Sequence, residues 1–379
     1  MKVLVMMDSF KGSISSIDAG QTIKETLAKR DFSYDVKILP IADGGEGTVE
    51  SLIGLSDIEE VKVTVNNPLF ESHVARYAYS KKNKLAIMEM SEASGLTLIK
   101  DRLSPMNAST YGVGQMISDA LDKGVRNFII GIGGSATNDG GIGMLMALGY
   151  RFLDQDGNDI NPGIGGVYDL VEIDDSKADP RLKESVFDIA CDVDNPLNGE
   201  NGSAHVYGPQ KGATPDQVKI IDELLLKYHI LTKQYIETAD NTIAGVGAAG
   251  GLGYGFKTYL DANLTPGIDL ILELLEADKF IENADLIITG EGKIDFQTSM
   301  GKAPVGVARL AKKYNKPVIA FAGIVDNDAI AVNHKGIDAF FPIIDKLTSV
   351  DEAMSIPKAK ENLERCVSQV FNIIEMWRE

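Results

Sequence analysis

The sequence predicts an α/β protein of two domains, with a parallel-sheet domain interrupted by an inserted second α/β domain that carries a mixed sheet. Three observations predict it. The chain has 379 residues, too many for one ordinary hydrophobic core. Strand-sized apolar runs alternate with helix-period stretches, as in α/β chains. The pattern also changes near residues 58 and 280, so the expected units are 1–57 with 281–379, and an insertion over 58–280.

Taken in order, Lys2–Met7 reads as a buried strand. A helix follows from about Ser15, where Ser15-Ser16-Ile17-Asp18 resembles a capping box and Ala19, Ile23 and Leu27 share one face. Asp35–Leu39 is the next strand. Val61–Val65 then alternates, Asn66-Asn67-Pro68 is turn chemistry, and Ala75–Tyr79 and Lys84–Met88 are further short strands. With no helix between them, these read as an antiparallel meander. Asn127–Ile130 and Val186–Ala190 are strands again. Thr214-Pro215-Asp216-Gln217 opens a long helix with Val218, Ile221, Leu225, Tyr228 and Leu231 on one side. Beyond Asp285 the parallel pattern returns, with strands Leu286–Thr289, Val318–Ala322 and Ala339–Ile343 and helices near 301–313 and 357–377. The first two and last three strands complete one five-stranded parallel sheet.

Composition bounds the function classes. Apolar residues make up 44% and charged residues 24%, values of a folded globular chain. No apolar run approaches the roughly 20 residues of a membrane span, and Met1–Asp8 reads as a first strand rather than a signal peptide. Cys191 and Cys366 alone give no disulfide framework or thiolate metal cluster, so the cytoplasm is the expected compartment. A formal charge of −18 disfavours nucleic acid as a partner. Small molecules are the expected partners, and a homodimer is left open.

The chemistry concentrates where strands end. Four strands run into loops that mix glycine with acids, three of them also with lysine or serine: Asp8–Ser13, Ile41–Thr48, Gly131–Gly141 and Gly290–Asp295; a fifth runs into the acid-rich Cys191–Leu197. Ligands of open parallel sheets bind at the carboxyl ends of strands. Glycine lets backbone N–H groups approach phosphate, and acids on the same loops suit Mg²⁺ and a proton acceptor. Any one such loop is ordinary turn geometry; five together point to a site.

Common fingerprints fail. Gly301-Lys302 is followed by Ala303, so there is no P-loop. Gly245–Gly250 matches Gly-x-Gly-x-x-Gly but follows a helix and a polar turn, which favours close packing over an NAD site. His229 and His334 read as solvated, and no His or Cys pair has transition-metal spacing.

Asp8–Ser13, Ala42–Thr48, Gly131–Gly141, Cys191–Leu197, Gly208–Ala213, Gly247–Gly251, Ile288–Asp295 and Gly301-Lys302 together resemble the signature segments of the bacterial glycerate kinases, in order and over nearly the whole chain. One departure is Ser109-Thr110-Tyr111-Gly112-Val113-Gly114-Gln115, where the family more often has Thr-Thr and then Gly-Thr-Gly-Glu. The resemblance implies ATP-dependent phosphorylation of D-glycerate, to 2-phosphoglycerate rather than 3-phosphoglycerate. It also implies a flavodoxin-like domain interrupted by one of restriction-enzyme-like shape. An NAD-dependent dehydrogenase of a small hydroxy acid and a non-enzymatic nucleotide sensor are the alternatives.

Phosphoryl transfer needs positioning, charge neutralisation and one proton acceptor. Asp192 is the preferred acceptor, because it follows a buried strand and begins an acid-rich loop; Asp43 is its rival. Lys11 and Lys211 are candidates for the γ-phosphate or a substrate carboxylate, and Glu291 and Asp295 for Mg²⁺. Gly133, Gly134 and Ser135 are expected to offer N–H groups to phosphate, with Asp8, Ser9, Gly44, Gly45, Gly290 and Gly292 on the companion loops. Asn138 and Asp139 orient a ligand or cap a helix, and Lys293 and Lys302 are as readily surface residues. The cleft is expected between the domains.

Overall fold

A computed structural model describes residues 1–42, 47–53 and 57–377. Its strands are β1 (Lys2–Met7), β2 (Asp35–Ile38), β3 (Glu59–Asn66), β4 (Ser72–Ser80), β5 (Leu85–Glu89), β6 (Asn127–Gly131), β7 (Arg151–Leu153), β8 (Glu172–Asp174), β9 (Val186–Ala190), β10 (Asn263–Thr265), β11 (Leu286–Ile294), β12 (Val318–Val325) and β13 (Ala339–Pro342). The chain divides into two compact units. One comprises Met1–Asp43, Glu50–Leu52 and Pro266–Glu379; the other comprises Gly44–Val49 and Ile53–Thr265.

The first unit is built on a parallel sheet in the order β13-β12-β11-β1-β2. Parallel strands covered on both faces need continuous apolar runs, and β1 is buried from Val3 to Met7. Val3, Val5, Ile288 and Phe321 pack with Ile23 and Leu27 of the helix Ser16–Ala28, and with Leu363, Val367 and Phe371 of the helix Ile356–Met376. The first helix starts where the sequence places it: Ser15 Oγ accepts the Asp18 N–H at 3.1 Å.

One expectation is corrected here. The segment Gly290–Ile294 is not a loop but the continuation of β11, paired through Lys293 with Ile324 and Ile294 with Val325 of β12. Gly290 permits this, since a Cβ there would lie 1.9 Å from the Phe321 carbonyl oxygen. Only glycine lets the neighbouring backbones close at that point.

The second unit carries a mixed sheet in the order β10-β9-β6-β5-β4-β3 and a small β7-β8 ribbon. β10, β9, β6 and β5 run parallel, and β5, β4 and β3 form the antiparallel meander. Stacked Phe128 and Phe187 (centroids 4.7 Å apart) lie at its core. The helix Pro215–Tyr235 begins with a complete capping box, Thr214 and Gln217 each taking the other's backbone N–H. His229 of this helix is buried, not solvated. Its Nδ1 lies 2.8 Å from the Tyr254 hydroxyl, and burial lowers its basicity. The reason is spacing: Leu225, Tyr228, His229 and Thr232 share the core-facing side.

The Gly245–Gly250 motif serves packing. Ala249, Gly250 and Gly251 are left-handed, and a Cβ on Gly250 would sit 1.9 Å from the Thr137 carbonyl oxygen. The Gly140 N–H donates to the Gly250 carbonyl at 3.0 Å.

Candidate active site

In the first unit the carboxyl ends of β1, β11, β12 and β13 surround a cavity of about 660 Å³, a volume suited to a small-molecule ligand. Its charged wall comes from the loop after β1 and from the end of β11. Asp8 is buried, its N–H donates to the Gly290 carbonyl at 2.9 Å, and its carboxylate accepts the Ser9 N–H at 2.6 Å. Lys11, exposed, lines the same wall with Lys293 and Lys302.

Glu291 and Asp295 meet through Thr298. The Thr298 hydroxyl donates to Glu291 Oε1 at 2.6 Å, and Asp295 caps the short helix Phe296–Ser299 by accepting the Thr298 N–H at 3.3 Å. Lys293 reaches Asp326 at 3.0 Å and Asp295 at 3.4 Å, and the Asp326 carboxylate raises its pKa. Among the described residues no three ligating side chains cluster as a metal cage. Magnesium needs none, because it binds one or two carboxylates and completes its shell with phosphate oxygens and water. The hard oxygen donors Glu291 and Asp295 on the cavity wall fit that ion. Gly292 and Ser9 line the cavity. Gly290 lies inside the sheet, between Met7 and Phe321. Asp43, Gly44 and Gly45 lie outside the described residues.

In the second unit the loop after β6 presents Gly133 and Gly134 to solvent, with Ser135 buried beneath them. The Leu96 N–H holds the Gly134 carbonyl at 2.9 Å. Asp139 is buried and accepts from the Thr110 N–H (2.7 Å), the Thr110 hydroxyl (2.8 Å), the Ser109 hydroxyl (3.4 Å) and the N–H groups of Gly141 (3.3 Å) and Gly143 (3.2 Å). Burial pushes its pKa up while these donors oppose the shift. Asp139 thus bonds N–H groups at the starts of two helices, Tyr111–Asp122 and Ile142–Ala147, the geometry of the helix-capping role expected for it. It ties the loop to the start of the helix Tyr111–Asp122, at the Ser109-Thr110 pair where the sequence departs from the glycerate kinase pattern. Asn138 is also buried, its amide donating to the Pro105 carbonyl at 3.2 Å.

Lys211 lies beneath the same loop. It is 1% exposed, and its ammonium donates to the Thr137 carbonyl at 2.6 Å. Burial pulls its pKa down to about 7, against the opposing pull of Asp139. It supports the glycine loop from inside. Asp192 is exposed, immediately after β9. Its neighbour Cys191 is pushed by burial to about 11, which makes it a poor nucleophile.

Glu89, at the end of β5, was not singled out by the sequence reading. It is buried, accepts the N–H groups of Val49 (2.8 Å) and Gly47 (3.3 Å), and is raised in pKa by that burial. Its signal was an acid closing a buried strand, the placement that drew attention to Asp192. Thr298 was missed too, although Asp295-Phe296-Gln297-Thr298 has capping spacing.

The profile of the glycerate kinase family matches residues 3–375. A glycerate kinase of Halalkalibacterium halodurans is 45% identical over 93% of this chain and 93% of its own. The Escherichia coli glycerate 2-kinase is 42% identical over 93% of each chain. A crystal structure from Salmonella typhimurium LT2, provisionally named glycerate kinase 2, superposes with a TM-score of 0.90 at 40% identity, covering 100% of this chain and 99% of that one.

Proposed function

The chain belongs to the glycerate kinase family, and from that premise we propose that it transfers the terminal phosphoryl group of ATP to D-glycerate, giving 2-phosphoglycerate and ADP. The observation that carries this reading is the family match over residues 3–375, with relatives of that name at 42–45% identity. The strand order of the first unit is consistent with a flavodoxin-like domain, and the mixed sheet of the second with a restriction-enzyme-like one. The cytoplasm, where ATP is plentiful, is the compartment we assign.

ATP belongs in the cavity of the first unit. Lys11 and Lys302 neutralise phosphate charge there, with Ser9 and Gly292 lining the same cavity. Glu291 and Asp295 hold Mg²⁺, which, when bound, neutralises charge on the phosphate oxygens. Lys293, paired with Asp326 and Asp295, keeps the second carboxylate oriented. Asp192 takes the proton of the attacking hydroxyl, a task suited to an exposed carboxylate at a strand end. Gly133 and Gly134 offer their N–H groups to an anion, on a loop stiffened by Asp139 and Lys211.

The test is incubation with ATP, Mg²⁺ and D-glycerate, followed by ³¹P NMR of the product. Phosphate on C2 is the expected result. Phosphate on C3 would correct the product, and the absence of any phosphorylated glycerate would overturn the activity.

A further inference from the structure

The cavity of the first unit is chemically uneven. Its ionic groups, Lys11, Glu291, Asp295 and Lys302 among them, come from the ends of β1 and β11 at the middle of the sheet and from the start of the helix Ala303–Lys313. Its other wall comes from the segment after β13, the edge strand, and is apolar apart from Lys346 on the rim, Thr348 and Ser349. Leu347 there is fully exposed, Val350 is mostly exposed and Met354 is more than a third exposed. Large apolar side chains held at the mouth of a cavity mark a surface that a ligand covers.

Two buried hydroxyl oxygens in the cavity's lining residues have no hydrogen-bond partner: Ser13 Oγ and Thr348 Oγ1. Other buried side-chain oxygens without a partner, those of Thr137 and Thr289 among them, lie outside this cavity; Ser13 and Thr348 are the pair that lines it, where a polar ligand group can satisfy them. Ser13 and the helix Val350–Met354 are neighbours, since a Cβ added to Gly12 would meet the Met354 methyl at 2.7 Å.

From these observations we infer a base-and-ribose subsite at the β13 edge. The nucleotide base lies against Leu347, Val350 and Met354, the Ser13 and Thr348 hydroxyls bond its polar edge and ribose, and the triphosphate runs back over β11 and β1. This rests on the ATP reading above and adds the direction in which the nucleotide lies and the residues that recognise it.

The experiment measures binding of ADP and of inorganic tripolyphosphate by calorimetry, without D-glycerate, for the wild type, Thr348→Val, Ser13→Ala and Leu347→Asp. Each hydroxyl deletion is expected to weaken ADP roughly 3- to 10-fold, the worth of one hydrogen bond. Leu347→Asp, at a fully exposed position, should weaken it at least as much. Tripolyphosphate, which lacks base and ribose, should bind all four proteins equally. ADP binding unchanged in the variants overturns the subsite, and so does an equal loss of tripolyphosphate affinity. A wild type that binds neither ligand would instead overturn the ATP reading itself.

Discussion

Replacing Lys211 by methionine exchanges a buried ammonium for an apolar chain of similar length. Unfolded, the lysine titrates at its ordinary 10.5; folded, at about 7. Between those values the unfolded chain holds more protons than the folded one, so wild-type stability rises with pH. The burial penalty is complete below about pH 7, where it amounts to roughly 5 kcal/mol, and it falls by roughly 3 kcal/mol between about pH 6 and about pH 9. Methionine removes this pH-dependent term. It also leaves the Thr137 carbonyl without its donor, a pH-independent cost of about 1–3 kcal/mol. The variant should therefore be the more stable protein at about pH 6 and lose that advantage by about pH 9. The single tryptophan, Trp377, lies in the first unit, so its fluorescence reports the wrong body. Native-state hydrogen exchange of the Ile130 and Ile189 amides reads the right one, once corrected for the intrinsic pH dependence of exchange. Parallel stability–pH curves for the two proteins would refute the buried-ammonium argument.

Asp192→Asn should lower kcat by at least 100-fold while the protein stays folded, because asparagine matches the size of this exposed side chain; steady-state kinetics and a thermal melt check both halves. Asp139→Asn should destabilise the second unit by about 3 kcal/mol or more, since an amide N–H₂ would face the donors of Thr110, Gly141 and Gly143; denaturant titration followed by exchange in β6 measures it. Gly290→Ala should unfold the first unit at room temperature or cost it several kcal/mol, as its methyl would sit 1.9 Å from the Phe321 carbonyl oxygen; hydrogen exchange of the Val5 and Ile288 amides is the readout. Glu291→Gln should raise the Mg²⁺ concentration needed for half-maximal rate about tenfold, leaving KM for D-glycerate unchanged.

Both sheets were legible because their strands announce themselves. The unbroken run Val3–Met7 has one physical reading, a strand covered on both faces, and Val61–Val65 alternates as a half-covered strand must. The Thr214–Gln217 cap was legible because all of its bonds are local. What escaped is non-local. Nothing around Pro209–Gly212 says that Lys211 will end against a carbonyl 74 residues earlier in the chain. Nothing in Asn138-Asp139 reveals that the donors waiting for it are 29 and 30 residues upstream. The apolar wall after β13 went unremarked because Asp345-Lys346-Leu347-Thr348-Ser349 has the look of a polar turn, with no glycine to draw the eye. The end of β11 was misplaced for the opposite reason: Gly290 and Gly292 look like turn residues, yet one of them keeps the sheet together.

The parallel sheet of the first unit draws its strands from two distant stretches of the chain, and that bears on how the protein is made. The Lys2 N–H bonds the Asp285 carboxylate at 2.7 Å across 283 residues of sequence, and β1 pairs with β11 along its whole length. At the usual pace of synthesis, about 5–20 residues per second, β1 leaves the ribosome tens of seconds before its central partner exists. Throughout that interval a five-residue apolar run, Val3–Met7, has only β2 to pair with. Meanwhile the second unit has all of its strands and can close. The N-terminal strand is thus the segment a nascent-chain chaperone would have to shield, and the place where faster translation or heat would first divert this chain into aggregates.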